Sequence, residues 1–371
     1  MSKYKALAGS EVYSALKDQS SIILACNTRI TIGVLDGIFK AAKKMNSMII
    51  FELAKSECDL SGGYTGLTPE IFAKNVKEAA ERVDWPWFIL HGDHLTIKKS
   101  ETDIKIVKDL ILSQIKAGYT SFAIDASFLF NIDGKNTKDQ LKENIEVTTE
   151  IAHFIKENSK GMEFGLEVEV GEIGKKDEHG MVITTVDEAV TFIQSLNENN
   201  VYPNLLAIAN GSTHGQIFDN AGNPIEQVSI DIPRTINIAK AIDKYNVRIA
   251  QHGITGTPIS LIATEFPKGK VLLKGNVGTY WMLIAWDVLK VFQPDLYKKI
   301  WDWVINYEKT DMKHPEVFGK FSKYAIKQFF DEIYAVDEDT QEALKAIGYS
   351  EALKFLKAFN SKNTVNLLKN R

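Results

Sequence analysis

The sequence of 371 residues has little of what marks several classes of protein. Its two cysteines, Cys26 and Cys58, are too few for a disulfide framework and are typical of a reducing compartment. No run approaches the roughly 18 uncharged apolar residues that cross a bilayer. The amino-terminal segment carries scattered Lys, Glu and Asp without an apolar stretch, so we expect no secretory signal and a cytoplasmic location.

The chain also lacks a strong charge of either sign. It has 44 basic and 48 acidic residues and a formal net charge of −4, which is not the basic footprint expected of a nucleic-acid-binding protein. Its 44% hydrophobic and 25% charged residues are the proportions of an ordinary globular protein rather than of a disordered one. These absences leave a cytosolic enzyme or a binding protein.

Eight short apolar runs, most of them continuous rather than alternating, are typical of parallel strands buried on both faces. They span residues 21–27, 47–53, 87–92, 121–125, 163–170, 205–210, 247–253 and 270–276. Helical patterns separate them, and one begins at the N-cap signal Thr68-Pro69. This alternation predicts a (β/α)8 TIM barrel, with a doubly wound open sheet as the alternative, since counting units does not show that the sheet closes.

The strand pattern stops after residue 292, and the rest of the chain is helical in character. We therefore predict a catalytic barrel at residues 1–292. Residues 293–371 are expected to form a helical extension that packs on the barrel or at a subunit interface.

Three histidines follow different predicted strands, and the active site of a barrel lies at the carboxyl ends of its strands. His94 ends the motif H-G-D-H, His214 lies in N-G-S-T-H-G, and His252 lies in Q-H-G-I-T-G-T. One buried histidine is more often a hydrogen-bonded core residue, but three that converge from separate strands suit a zinc site with a fourth position open. Gly-rich stretches at 253–257 and 276–279 follow strands seven and eight, where barrels commonly bind phosphate.

Over about three quarters of its length the sequence resembles the class II, zinc-dependent, fructose-bisphosphate and tagatose-bisphosphate aldolases. The ordered motifs are H-G-D-H, E-V-E-V-G-E-I-G, the H-G after strand six, H-G-I-T-G and N-V-G-T. The resemblance implies that Asp93 is catalytic and that the metal is held by His94, His214 and His252, with Glu169 at a structural or alternative metal position. It also implies substrate or phosphate contacts, to which Asn27 at the mouth of strand one is added; the candidates are Asn27, Gly215, Gly253, Thr255, Gly256, Asn276 and Thr279.

The activity that the resemblance implies is the cleavage or formation of a ketose phosphate or bisphosphate to give dihydroxyacetone phosphate and an aldehyde. Fructose 1,6-bisphosphate, a substrate of glycolysis, is the default. The expected cofactor is Zn²⁺ or another divalent ion, with a monovalent cation as an additional option. A second acid/base is expected from the loop after strand five, where Asp177 and Glu178 are the two candidates. The expected partners are a phosphorylated sugar and further copies of this chain, in a homodimer or larger homo-oligomer, and neither nucleic acid nor a membrane.

Three positions depart from the family pattern. The lysine that commonly follows the strand-six histidine by four residues is Phe218, the Asp of N-x-D-T is Gly278, and the G-G-x-E-D loop reads G-K-K-D-E-H-G. An aldolase for a different sugar phosphate therefore stays open.

Two other functions also stay open. A non-catalytic aldolase-like subunit is one, although such a subunit would have no use for Asp93 and the three histidines. A metal-dependent hydrolase is the other, and it would need a carboxylate on strand four, where Asp125 is the candidate. Asp93 also has an alternative role, as a carboxylate that only orients a histidine.

Overall fold

Eight parallel strands close into a barrel in this computed structural model, which describes residues 4–98, 100–172, 176–177, 180–213 and 215–369. The strands are β1 (Ile23–Asn27), β2 (Ile49–Ala54), β3 (Phe88–Thr96), β4 (Ser121–Asp125), β5 (Gly165–Val170), β6 (Leu205–Ile208), β7 (Arg248–Gln251) and β8 (Leu272–Val277). Each strand pairs with its neighbours in sequence, and β8 closes the ring on β1, where Ala25 lies opposite Asn276. The predicted (β/α)8 barrel is confirmed, and the open-sheet alternative is wrong.

Helices surround the barrel and continue beyond it. They are α1 (Gly9–Leu16), α2 (Val34–Met45), α3 (Pro69–Val83), α4 (Ser100–Ala117), α5 (Thr137–Asn158), α6 (Val186–Glu198), α7 (Ile232–Ile242), α8 (Ile259–Glu265), α9 (Thr279–Phe292), α10 (Pro294–Ile305), α11 (His314–Gln328), α12 (Phe330–Tyr334), α13 (Glu338–Ala358) and α14 (Asn366–Lys369). The predicted cap at Thr68 is present, since its hydroxyl accepts a hydrogen bond from the Ile71 N–H at 3.4 Å. No helix in the described part of the chain has the length and apolarity that a membrane crossing needs.

Burial explains why the strand runs are continuous in hydrophobicity. Every residue of β1, β4, β5, β6, β7 and β8 is buried, because helices cover the outer face and side chains fill the interior. Polar side chains on these strands are buried as well, and Glu167 and Lys274 lie 2.7 Å from each other. The barrel interior is thus the place where buried charges meet.

Strand β3 is longer than the sequence predicts. We expected it to end at residue 92, whereas it continues through the H-G-D-H motif to Thr96. The pairing with β4 shifts between Gly92 and Leu95, and His94 adopts a positive φ of 38°. An irregularity of this kind re-aims side chains without ending the strand, and a non-glycine residue with positive φ is strained. The H-G-D-H motif is therefore a distorted part of the strand.

The helices after residue 292 contact both the barrel and its loops. Helix α13 packs on α2 so closely that a Cβ at Gly37 would lie 2.6 Å from the Tyr349 nitrogen. Helix α11 lies beside the loop after β2, where Lys327 donates hydrogen bonds to the carbonyl oxygens of Ser61 at 2.9 Å and Gly63 at 3.1 Å. This second contact brings the extension to the carboxyl ends of the barrel strands.

Candidate active site

A cavity of about 700 Å³ opens at the carboxyl ends of the strands. It brings together most of the candidate site residues, namely Asn27, Asp93, His94, Glu169, Gly215, His252, Gly253, Thr255, Asn276 and Thr279. Gly256 belongs to the same loop as Thr255 but does not line the cavity. His214, Glu178 and the side chain of Asp177 lie outside the described residues.

Asp93, His94 and His252 form a cluster that suits a metal ion. Their ligand atoms all lie within 4.8 Å of one another, and the two imidazole rings are 4.4 Å apart between centroids. His94 and Asp93 come from the distorted part of β3, while His252 directly follows β7. Two imidazoles and a carboxylate that converge from separate strands are donors that a divalent transition metal accepts.

A carboxylate behind His252 fixes the orientation of its ring. Glu167 Oε1 lies 2.6 Å from His252 Nε2, so the other ring nitrogen, Nδ1, is the one turned toward a metal. Glu167 in turn lies 3.4 Å from His91 Nε2, and His91 Nδ1 lies 2.7 Å from Ser121 Oγ. Burial and the nearby Lys274 lower the pKa of His91 to about 4, so this imidazole is neutral. Carboxylate support of this kind is usual for histidines that bind metals.

Asp93 is held by two amides. Asn27 Nδ2 donates to its Oδ2 at 2.8 Å, and Asn276 Nδ2 donates to its Oδ1 at 3.4 Å. Burial alone would raise the pKa of Asp93, but His94, Lys274 and His252 lower it below its ordinary value. The carboxylate is therefore ionised and fixed in place at neutral pH. Asn27 and Asn276, which we expected to contact substrate, orient this acid.

Lys274 occupies the centre of the barrel and was not singled out from the sequence. Its ammonium lies 2.7 Å from Glu167 and 2.8 Å from Glu52, and it is fully buried. Burial opposes its charge, yet the surrounding carboxylates raise its pKa, so it remains protonated. The sequence places Lys274 in an apolar strand but does not show which way its side chain points. Only the inward orientation in the folded barrel reveals its role.

Glu169 faces a second acid across His94. His94 Nδ1 lies 3.1 Å from Glu169 and 3.5 Å from Asp125, and these three residues form another cluster whose ligand atoms lie within 4.8 Å of one another. Burial, with Asp125 nearby, raises the pKa of Glu169 to about 8. The carboxyl groups of Glu169 and Asp125 repel each other when both are ionised, and a bound cation would reduce this repulsion. Glu169 thus lies close enough to His94 to be a candidate metal ligand, and that role stays a prediction.

The Gly-rich ends of β7 and β8 lie next to each other at one side of the cavity. Thr255 Oγ1 accepts a hydrogen bond from the Tyr280 N–H at 3.3 Å, which ties the two loops together. Thr279 Oγ1 accepts a hydrogen bond at 3.1 Å from the guanidinium of Arg29, a residue that the sequence did not single out. Arg29 follows β1 in a loop without a recognisable motif.

A family model described as "Fructose-bisphosphate aldolase class-II" matches residues 9–342, which is most of the chain. The chain belongs to this family. The match to the class-II aldolase family covers the barrel and ends within α13. The first helices of the extension are therefore part of the family pattern.

Solved structures of similar fold include two aldolases and an epimerase. The fructose-bisphosphate aldolase of Campylobacter jejuni is 18% identical, with a TM-score of 0.64 and 97% of each chain covered. The YdjI aldolase of Escherichia coli K12 is also 18% identical, with a TM-score of 0.60, covering 96% of this chain and 98% of that one. A fructuronate-tagaturonate epimerase, UxaE of Cohnella laeviribosi, is 13% identical with a TM-score of 0.60, covering 99% of this chain and 83% of that one. At these identities the likeness establishes the fold.

Two positions expected to depart from the class-II aldolase pattern, Phe218 and Gly278, have distinct surroundings in the structure. Phe218 lies in a short ribbon outside the barrel, where its ring occupies the space above Gly319 of α11. Gly278 lies beside Arg29, since a Cβ at this position would be 3.5 Å from Arg29 Nη2. Phe218 thus makes an apolar contact with the extension, and Gly278 lies within van der Waals reach of Arg29.

Proposed function

We propose that this chain is a metal-dependent aldolase that reversibly cleaves a ketose phosphate to dihydroxyacetone phosphate and an aldehyde. The observation that carries the proposal is the cluster of Asp93, His94 and His252 at the mouth of the barrel. Aldol cleavage needs a stabilised negative charge on the ketone fragment and a base for the hydroxyl beside the cleaved bond. The two histidines of the cluster supply ligands for a metal that would stabilise this charge, and Asp93 supplies the base.

The residues present fit a divalent ion, for which zinc is the expected identity. His94 and His252 would hold it, with His214 as the third histidine that the motif implies and Glu169 as an alternative ligand. A bound ion would supply Lewis-acid stabilisation of charge on the substrate oxygens. Glu167 orients His252 for this purpose through its 2.6 Å contact with Nε2.

Asp93 is proposed as the general base of the cleavage direction. Its amide contacts with Asn27 and Asn276 fix the carboxylate in place, and the neighbouring positive charges keep it ionised by lowering its pKa. It takes the proton from the substrate hydroxyl next to the breaking bond and returns it in the direction of condensation. A second acid/base for the carbon of the ketone fragment is proposed from the loop after β5, at Asp177 or Glu178.

The identity of the sugar phosphate is the finer part of the proposal. Fructose 1,6-bisphosphate remains the default substrate. A different phosphorylated ketose is the second candidate, and it is favoured by the changed residues Phe218 and Gly278. Both candidates require a phosphoryl group to bind beside the Gly-rich ends of β7 and β8.

The decisive experiment is an aldol-cleavage screen of zinc-loaded protein over a panel of phosphorylated ketoses. We expect one of them to be cleaved and a chelator to abolish turnover. Asp93→Asn is expected to retain the metal and to lower kcat by about 10²–10⁴-fold, the usual contribution of a positioned acid or base.

A control variant, Asp139→Asn, changes an exposed acid in the first turn of α5, outside the cavity, and should keep the wild-type kcat. Unchanged turnover in Asp93→Asn would remove Asp93 from the mechanism. Turnover that survives complete removal of the metal would refute the proposed function.

A further inference from the structure

The loops after β6 and β7 meet at one side of the cavity, beyond the point where the two strands are paired. The pairing of β6 with β7 ends at Ala207 and Ala250. His252 directly follows β7, and by its sequence position His214 belongs to the loop after β6. The spacing of these two loops is therefore set by contacts other than the strand ladder.

The two loops are in direct backbone contact. Gly253 has a positive φ of 66°, and a Cβ at this position would lie 2.7 Å from the Thr213 carbonyl oxygen and 3.0 Å from Ser212 Cβ. Glycine is the residue that allows both this conformation and this close approach. At Gly253 the loops are thus as close as their backbones allow.

Gln227 bridges the two loops with its side-chain amide. Its Oε1 accepts hydrogen bonds from the Thr213 N–H at 3.2 Å and from the Thr213 hydroxyl, and its Nε2 donates to the Gly253 carbonyl oxygen. Its own N–H donates to the Gly256 carbonyl oxygen at 2.8 Å. A backbone N–H only donates and a carbonyl oxygen only accepts, so each partner requires one particular end of the amide. An ionised carboxylate or an apolar side chain of the same length would not make this set of contacts.

The segment that carries Gln227 is itself hydrogen-bonded to the loop after β6. It follows the short ribbon that contains Phe218, and further along it Ser229 Oγ donates to the Gly211 carbonyl oxygen at 2.7 Å. Gln227 is buried, with 1% of its surface exposed, and lies outside the lining of the cavity. Its effect on the site is therefore exerted through the loops that it bridges.

A second amide bridge lies closer to the strands. Asn210 Nδ2 donates to Gln251 Oε1 at 2.7 Å, and Gln251 Nε2 donates back to Asn210 Oδ1 at 3.3 Å. Gln251 Nε2 also donates to the His252 carbonyl oxygen at 2.7 Å, and both side chains are buried. This pair fixes the strand ends, whereas Gln227 fixes the loops beyond them.

We propose that Gln227 is a positioning residue for the metal, which holds the loops after β6 and β7 at the spacing in which their histidines bind one ion. This inference rests on the proposed function, because it assumes that the cluster containing His252 binds a metal. If the loops separate, the arrangement that binds the ion is populated less, and the apparent Kd for the ion rises in proportion. Loss of a residue that orients metal ligands typically weakens binding by about 10–100-fold.

The test measures the Kd for Zn²⁺ by competition with a chromophoric chelator, on protein whose fold is verified by circular dichroism. Gln227→Met preserves the length of the side chain without its hydrogen bonds and is expected to raise the Kd by about tenfold or more. The matched control is Asn204→Leu, which removes a side-chain amide at the opposite, amino-terminal end of the barrel, where Asn204 accepts a hydrogen bond from the Leu166 N–H at 3.0 Å. Because this site is distant from the loops, the control should change the Kd by less than about twofold.

A Kd of Gln227→Met equal to that of Asn204→Leu would overturn the inference, because Gln227 would then contribute to stability alone. If Gln227→Met does not fold, Thr213→Val decides in its place, since it removes only the hydroxyl that donates to Gln227. That variant is expected to raise the Kd about fivefold, the equivalent of one hydrogen bond, and an unchanged Kd would contradict the positioning role.

The same proteins separate this inference from the proposed function. If zinc binds with an affinity that depends on Gln227 while no ketose phosphate is cleaved, the positioning role stands and the aldolase fails. If a ketose phosphate is cleaved and Gln227→Met keeps both the wild-type zinc affinity and the wild-type kcat, the positioning role is wrong and the aldolase stands. Wild-type protein that binds no divalent ion would refute both.

Discussion

Lys274 is a buried cation that links two carboxylates in the centre of the barrel. Its ammonium contacts Glu167 and Glu52 within 2.8 Å, and all three side chains are buried. Glu167 also supports His252, so the lysine stabilises a carboxylate on which the proposed metal ligand depends. A buried ion pair adds little stability over an apolar replacement, but loss of one partner leaves an uncompensated charge.

Lys274→Met is therefore expected to lower the free energy of unfolding by about 3–5 kcal/mol, as measured by urea denaturation. The matched control is Lys298→Met, which breaks an exposed i,i+4 pair with Asp302 on α10 and should cost at most about 1 kcal/mol. Equal stability of the two variants would mean that the barrel interior relaxes and neutralises Glu52 and Glu167 without the lysine.

At the scale of elements, the contact between α2 and α13 joins the extension to the barrel. A Cβ at Gly37 would lie 2.6 Å from the Tyr349 nitrogen and closer still to the Lys345 carbonyl oxygen. Backbone atoms within a packed helix cannot yield as a flexible side chain does. Gly37→Ala should therefore separate the two helices, although alanine favours the helix itself.

We expect Gly37→Ala to destabilise the protein by about 1–3 kcal/mol in thermal or urea unfolding, the usual cost of overpacking. Lys40→Ala on the exposed face of the same helix should change stability by less than about 0.5 kcal/mol. A stabilised Gly37→Ala protein would show that helix propensity outweighs the contact and that α13 is free to shift.

The elements also show what the sequence could predict. Strand runs such as 121–125 and 247–253 are continuous in hydrophobicity because the strands are covered on both faces, and they located the barrel within a few residues. The predicted end of β3 at residue 92 was wrong. Polar residues such as Asp93 and His94 are common just after strands, but here they belong to the strand and line the cavity. The strand propensity of single residues does not predict an irregular pairing of β3 with β4, in which His94 adopts a positive φ.

The whole molecule explains the remaining gaps. Motifs at strand ends predicted Asp93, His94 and His252 because a closed barrel must bring those ends together. Gln227 could not be predicted in this way, since it lies in a segment after β6 that matches no motif. Its hydrogen bonds to Thr213 and Gly253 depend on how this segment folds across the two loops, which is a property of tertiary packing rather than of local pattern.

The stability of the whole chain should depend on the metal if the proposed site binds one. An ion that binds only the folded protein raises the free energy of unfolding by about 2.7 kcal/mol at a concentration 100 times its Kd. We expect zinc-loaded protein to show this increment over chelator-treated protein in urea unfolding, and His94→Ala to lose it. His153→Ala changes a histidine of α5 whose Nε2 lies 3.1 Å from the Asn199 carbonyl oxygen, outside the cavity, and should keep the increment. An increment that survives in His94→Ala but not in His153→Ala would move the metal away from the barrel mouth, and with it the proposed chemistry.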